Sequence, residues 1–195
     1  MPRLKIVAPL LLLVASLPAC GGKPFNVKPR PDVPAADYDV KAAAGELTVH
    51  AEAVWDEDFL YETFDANLIL AGVLPVRVMV ANGAQEPVDL KKAKFEIRAA
   101  GRAYKAISAK SAFEKMISYY GITTYSKPGY KESQADFASH ALDLASPLGA
   151  GESRQGMLFF QVPAEAARGA GLTLVARRLD AKKQKADSPI ELKLN

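Results

Sequence analysis

The strongest constraint on this chain is a period of two. In "ELTVHAEAVW", residues 46 to 55, Leu47, Val49, Ala51, Ala53 and Trp55 fall on one face, with Thr48, His50 and Glu52 on the other. The C-terminal "PIELKL" sets Ile190, Leu192 and Leu194 against Glu191 and Lys193. Successive side chains of a strand point to opposite sides, so this alternation belongs to antiparallel strands with one buried and one wet face. "PVRVMV" (75–80), "AKFEIRA" (93–99), "AYKAI" (103–107), "GMLFFQV" (156–162) and "LTLVARRL" (172–179) extend the set. Gly101 and Arg102 are placed to turn a tight hairpin before "AYKAI". Seven or so short strands predict a mainly β domain, an immunoglobulin-like antiparallel β-sandwich. That likeness is one of strand patterning, with no family motif behind it.

Helical patterns interrupt the strands and predict an insertion at about 108–146. "SAFEKMISYYG" (111–121) opens with Ser111 and Glu114 in capping-box spacing. Phe113, Met116, Ile117 and Tyr120 then form one apolar stripe, and Gly121 stops the helix. "KESQADFASHALDLA" (131–145) reads as a second helix, and "DEDFLYETF" (56–64) as a third with acids in its first turn, where the helix dipole favours them. Residues 56–72 stay open between helix and strand, because "NLILAGVLPV" (67–76) could continue a helix or begin a strand, a short apolar run carrying no distinct period.

The first 37 residues belong to a different regime. Arg3 and Lys5 precede an apolar run, Ile6 to Val14, followed by small residues and Cys20. This is the layout of a secretory signal. The run is shorter than the roughly 20 residues a spanning helix needs, and Pro9 and Pro18 argue against a core helix. "LPAC" (Leu17, Pro18, Ala19, Cys20) resembles the lipobox of bacterial lipoprotein precursors. Leu17, Ala19 and Cys20 match that pattern, and Pro18 departs from the small or β-branched residue more usual there. The resemblance covers only the first 20 residues or so. It implies that residues 1–19 are removed, that Cys20 is the lipidation site, and that acyl chains hold the mature protein on a membrane of the cell envelope. Gly21 in place of Asp favours, by the same resemblance, the outer membrane of a Gram-negative host. Two or more chains anchor stably where one does not. Cys20 is the chain's single cysteine, so the mature domain carries none, which suits an oxidising compartment. Residues 20–37, with prolines at 24, 29, 31 and 34, read as the lipidated cysteine and an extended tether to one domain, 38–195.

Cleavage changes the charge argument. The whole chain is +3, but Arg3 and Lys5 leave with the signal, taking the basic count from 25 to 23 against 22 acids, net +1. No basic face for nucleic acid is expected. The runs "LKKAK" (90–94) and "ARRLDAKKQK" (176–185) read as solvated turns and strand edges.

Candidate chemistry is sparse, and no cofactor or metal is expected. Asp56, Glu57, Asp58, Glu62 and Asp65 miss the spacing of a calcium loop and read as a charged helix start. The two histidines, His50 and His140, lack further zinc ligands. "GESRQG" around Ser153 echoes a nucleophile elbow with the glycine one place late. The most informative stretch is "YYGITTYSKPGY" (119–130), which holds four of the seven tyrosines. Tyrosine offers large contact area at modest entropy cost, so Tyr119, Tyr125 and Tyr130 are the candidate contacts for an envelope protein partner. The expected function is a non-catalytic binding or assembly module. The alternatives are an envelope hydrolase using His50 or His140, and a structural spacer.

Overall fold

The computed structural model describes residues 22–168, 171–179 and 189–194. Cys20 and the lipobox-like segment lie outside the described residues, as do residues 180–185 of the second basic run. Eight strands are described: β1 (Val40–Ala44), β2 (Leu47–Ala53), β3 (Val73–Asn82), β4 (Lys94–Ala99), β5 (Arg102–Ile107), β6 (Ser153–Gln161), β7 (Leu172–Arg177) and β8 (Ile190–Leu194). Four helices accompany them: α1 (Glu57–Phe64), α2 (Ala109–Tyr119), α3 (Lys127–Ala138) and the short α4 (Ala164–Ala167).

All strand pairs are antiparallel, in the order β1-β2-β3-β6-β5-β4-β7-β8. The order doubles back, and its two end strands, β1 and β8, lie against each other. The core sits between the two halves, giving the antiparallel β-sandwich that the strand patterning predicts, with α2 and α3 inserted between β5 and β6. Leu47, Val49, Ala51 and Ala53 of β2 are buried, while the residues between them are half-buried, as alternation requires. In β6 the alternation breaks down: Gly156 to Phe160 are all buried. One side faces the sandwich, and the other receives Phe137 of α3, whose ring stacks on Phe159 at 4.9 Å.

Several local expectations shift. α2 begins one turn earlier than the Ser111–Glu114 pair predicts, because Ser108 is its cap and accepts from the Ser111 amide at 3.1 Å. The second helix of the insertion is Lys127–Ala138, not 131–145. Ser126 caps it by accepting from the Gly129 amide, and Pro128 fits the first turn, where no amide is needed. It ends early because His140 and Leu142 turn to bond the β6 backbone: Met157 N donates to His140 O, and Leu142 N to Met157 O. The hairpin turn is Ala100–Gly101, at φ +48° and +73°, one residue before Gly101–Arg102. Residues 68–72 are turns, introduced by Asn67, whose Oδ1 accepts from the Ile69 and Leu70 amides.

Residues 22–34 are largely extended, as their prolines require, and Ala35–Asp37 form one 3-10 turn, yet the whole stretch lies along the domain. Phe25 and Val27 are buried. The Phe25 ring packs edge-on against Phe113 (5.9 Å) and Tyr120 (6.0 Å). Ser133 Oγ donates to Phe25 O at 2.8 Å, and Lys28 N donates to Thr63 O. Further along, Arg30 donates to Gln155 O, and Gln155 Oε1 accepts from Val33 N and the Tyr38 hydroxyl. The stretch is a strap bound to α1, α3 and β6. Removing a buried aromatic from such a strap leaves a cavity, so Phe25→Ala is expected to cost about 3 kcal/mol, measured by urea unfolding. Conversely, Ala100 occupies a left-handed conformation that disfavours side chains. Ala100→Gly is expected to raise stability by about 1 kcal/mol in the same assay.

Candidate functional site

Register explains a cleft between β4 and β5. β5 pairs with β4 from Arg102 to Lys105, opposite Ala99 to Glu96. Continued, that register would set Ala106 against Phe95 and Ile107 against Lys94. Instead Ala106 and Ile107 pair with Phe160 and Phe159 of β6. The next residue, Ser108, caps α2, and α2 buries Ala112, Phe113 and Met116. Docking of that helix draws the end of β5 away from β4 and toward β6. The splay opens a cleft of about 520 Å³. Its floor is apolar, with Phe95, Met157 and Phe159 buried and Ile107, Ala141 and Leu144 half-buried. Its rim carries Lys94, Lys105 and Arg177. Arg177 shares the Glu96 carboxylate at 3.6 Å, whereas Lys94 and Lys105 extend into solvent. An apolar interior with few charged groups at its mouth is the usual form of a small-molecule site. Nothing local in the sequence marks it, because it depends on where three strands part.

The tyrosines separate into two kinds. Tyr119 and Tyr125 are exposed. Tyr130 is half-buried, packing against Phe113 at 5.4 Å with Tyr125 lying over it at 5.0 Å. Tyr120 belongs to the packed group. Its hydroxyl donates to Asn67 O and accepts from Asn67 N, and burial pushes its pKa up.

The histidines do not meet. His50 is half-buried on β2 beside Tyr38 (ring centroids 5.9 Å), with Lys41 nearby. Burial and then Lys41 lower its pKa. His140 is fully buried against Phe64 (4.8 Å). Its Nε2–H donates to the Lys28 carbonyl at 2.8 Å, and its Nδ1 has no hydrogen-bond partner among the described residues. The acids serve as a cap and as long-range partners, Glu57 pairing with Arg168 at 3.5 Å. Asp56 accepts from the Asp58 and Phe59 amides, and Asp65 accepts from Asn26. Ser153 opens β6 at an exposed position opposite Ala81.

Burial lowers the pKa of His140 below the ordinary value of 6.5, outweighing its bond to Lys28. The unfolded chain therefore binds this proton more readily than the folded one. The stability from a neutral His140 is full above the unfolded value and is lost as pH falls through and below it. Urea midpoints should fall between about pH 7.5 and 5, and His140→Gln should flatten that dependence more than His50→Gln does.

No protein-family model and no curated protein matches the chain. Solved structures with a loose likeness include ycdA of Bacillus subtilis, provisionally assigned as a lipoprotein, at 15% identity and a TM-score of 0.42. That match covers 80% of this chain, which spans only 38% of ycdA's length. A conserved hypothetical protein of Bacillus anthracis matches at 13% identity and TM-score 0.39, over 71% of this chain and 87% of its own. An uncharacterised β-sandwich protein of Clostridium difficile matches at 12% identity and TM-score 0.38, over 86% of this chain and 95% of its own. Likeness at this level implies neither a shared ligand nor a shared partner.

Proposed function

We propose that this chain is a lipid-anchored protein of the cell envelope whose domain is a non-catalytic binding module. Its ligand has an apolar body and an acidic group, and it seats in the cleft between β4 and β5. The observation that carries the binding site is that cleft: an apolar floor with Lys94 and Lys105 exposed at the rim. The anchor rests on the lipobox-like Leu17-Pro18-Ala19-Cys20, and Gly21 favours the outer membrane if the host is Gram-negative. A hydrolytic role for His140 is disfavoured by its burial and by the commitment of Nε2 to a backbone carbonyl. His50 stands by Tyr38 and Lys41 and bonds the Ala35 backbone.

The test uses anilinonaphthalene sulfonate, an apolar fluorophore with one acidic group, on a chain beginning at Gly21. One probe per chain is expected, with blue-shifted emission. Ala106→Trp, which fills the cleft, should weaken binding by about tenfold or more, and Lys94→Glu with Lys105→Glu should weaken it in a salt-dependent way. Binding that ignores Ala106→Trp in a folded variant rules the cleft out.

A further inference from the structure

The strap settles more than the position of Phe25. Its first described residue, Gly22, lies against the start of α3. Gly22 O accepts from Ser126 N, and a Cβ at Gly129 would stand 2.7 Å from that oxygen. Lys23 then pairs with Glu132 (2.8 Å) and Asp136 (3.1 Å) of α3. Cys20 is two residues upstream of Gly22. Two residues reach at most about 7 Å. If Cys20 is acylated, its acyl chains therefore start within about 7 Å of Gly22, close to the α2–α3 loop.

The surface around that point has a distinctive chemistry. Four large hydrophobic residues are exposed among the described residues: Tyr61 (47%), Leu70 (44%), Tyr119 (53%) and Tyr125 (37%). All four gather near this end. Tyr61 and Tyr119 adjoin Tyr120, which is itself held by Asn67 of the turn carrying Leu70. Tyr125 rests on Tyr130. Between Glu114 and Glu132 the chain has no acid, and its only charges are Lys115, Lys127 and Lys131. The acids just beyond, Glu132 and Asp136, are the ones Lys23 pairs with. Tyrosines interleaved with lysines are what a headgroup region accommodates, rings at the interface and ammonium groups on anionic phosphates; the flanking acids are Glu62 and Asp65 near Tyr61 and Glu114 near Tyr130.

We propose that the α2–α3 end, led by Tyr119 and Tyr125, is the face that sits on the lipid surface, so the anchored domain lies on the membrane in one orientation. This rests on the acylation of Cys20 in the proposed function. The occupant of the tyrosine face is then lipid, in place of the protein partner that tyrosine enrichment predicts.

The experiment uses the mature, acylated protein reconstituted in vesicles of phosphatidylethanolamine and phosphatidylglycerol. Acylation consumes the Cys20 thiol, so a single new cysteine can be labelled with an environment-sensitive fluorophore, either Tyr125→Cys or Gln85→Cys. Gln85 lies beyond Gly83, whose amide bonds Glu46 at the turn after β1, the end toward which the strap runs. Quenching by nitroxide-labelled lipid should be roughly threefold or more stronger at position 125 than at 85. Intact mass on the same sample reports whether Cys20 carries acyl chains. Acylated protein with equal, weak quenching at both positions overturns the seat while leaving the anchor standing, and returns the tyrosines to a protein partner. Unacylated protein overturns the anchor and the seat together.

Discussion

Phe137 is the contact on which the remaining architecture leans. It stacks on Phe159 of β6, tilts against Phe64 of α1 at 5.2 Å and meets Phe113 of α2 at 5.7 Å. Phe113 in turn takes the edge of Phe25 from the strap. Rings from the strap, three helices and one strand thus share one buried cluster. Aromatic pairs of this kind contribute about 0.5–1.5 kcal/mol each beyond the area they bury. The larger consequence is geometric, because the helices and the strap are held to the sheet through side chains, with few ladder bonds to fix them.

The two candidate surfaces follow from that cluster. Packing α2 over β6 pulls the end of β5 off β4, and the cleft is the gap left behind. Packing Phe25 under α2 holds the start of the strap, Gly22 and Lys23, against α3, the place from which the proposed seat on lipid is argued. The cleft is lined from β4, β5, β6 and residues 141–144, while the end proposed to face lipid is made of α2, α3 and the loop between them. An anchored domain could therefore hold a ligand in one while seated on the other. Buried His140, bonded to the strap carbonyl of Lys28, ties the strap's hold to pH.

Much of the fold was legible in short windows. The alternation of Leu47 to Ala53 and of Ile190 to Leu194 is local, and the strands lie where that alternation is clean. The stripe of Phe113 and Met116 located α2, although Ser108, three residues before Ser111, proved to be its cap. "SKPGY" reads as loop because proline and glycine usually break helices. Here Pro128 sits in the first turn, and Gly129 is small because Gly22 lies against it. The strap carried one overlooked signal: Phe25 and Val27, two residues apart, are buried in a stretch otherwise polar and rich in proline. Of the candidate site, Tyr119 and Tyr125 were legible as exposed tyrosines, whereas His140 went to the core and Tyr130 against Phe113.

Sequence alone determined the strand faces, the helical insertion and the single cysteine, because each depends on residue identity and spacing along a few neighbours. Tertiary structure decided where the proline-rich stretch lies, where β5 changes partners and which tyrosines reach solvent. Those depend on contacts between residues up to 125 positions apart, as in the bond from Arg30 to Gln155, and no local period records them.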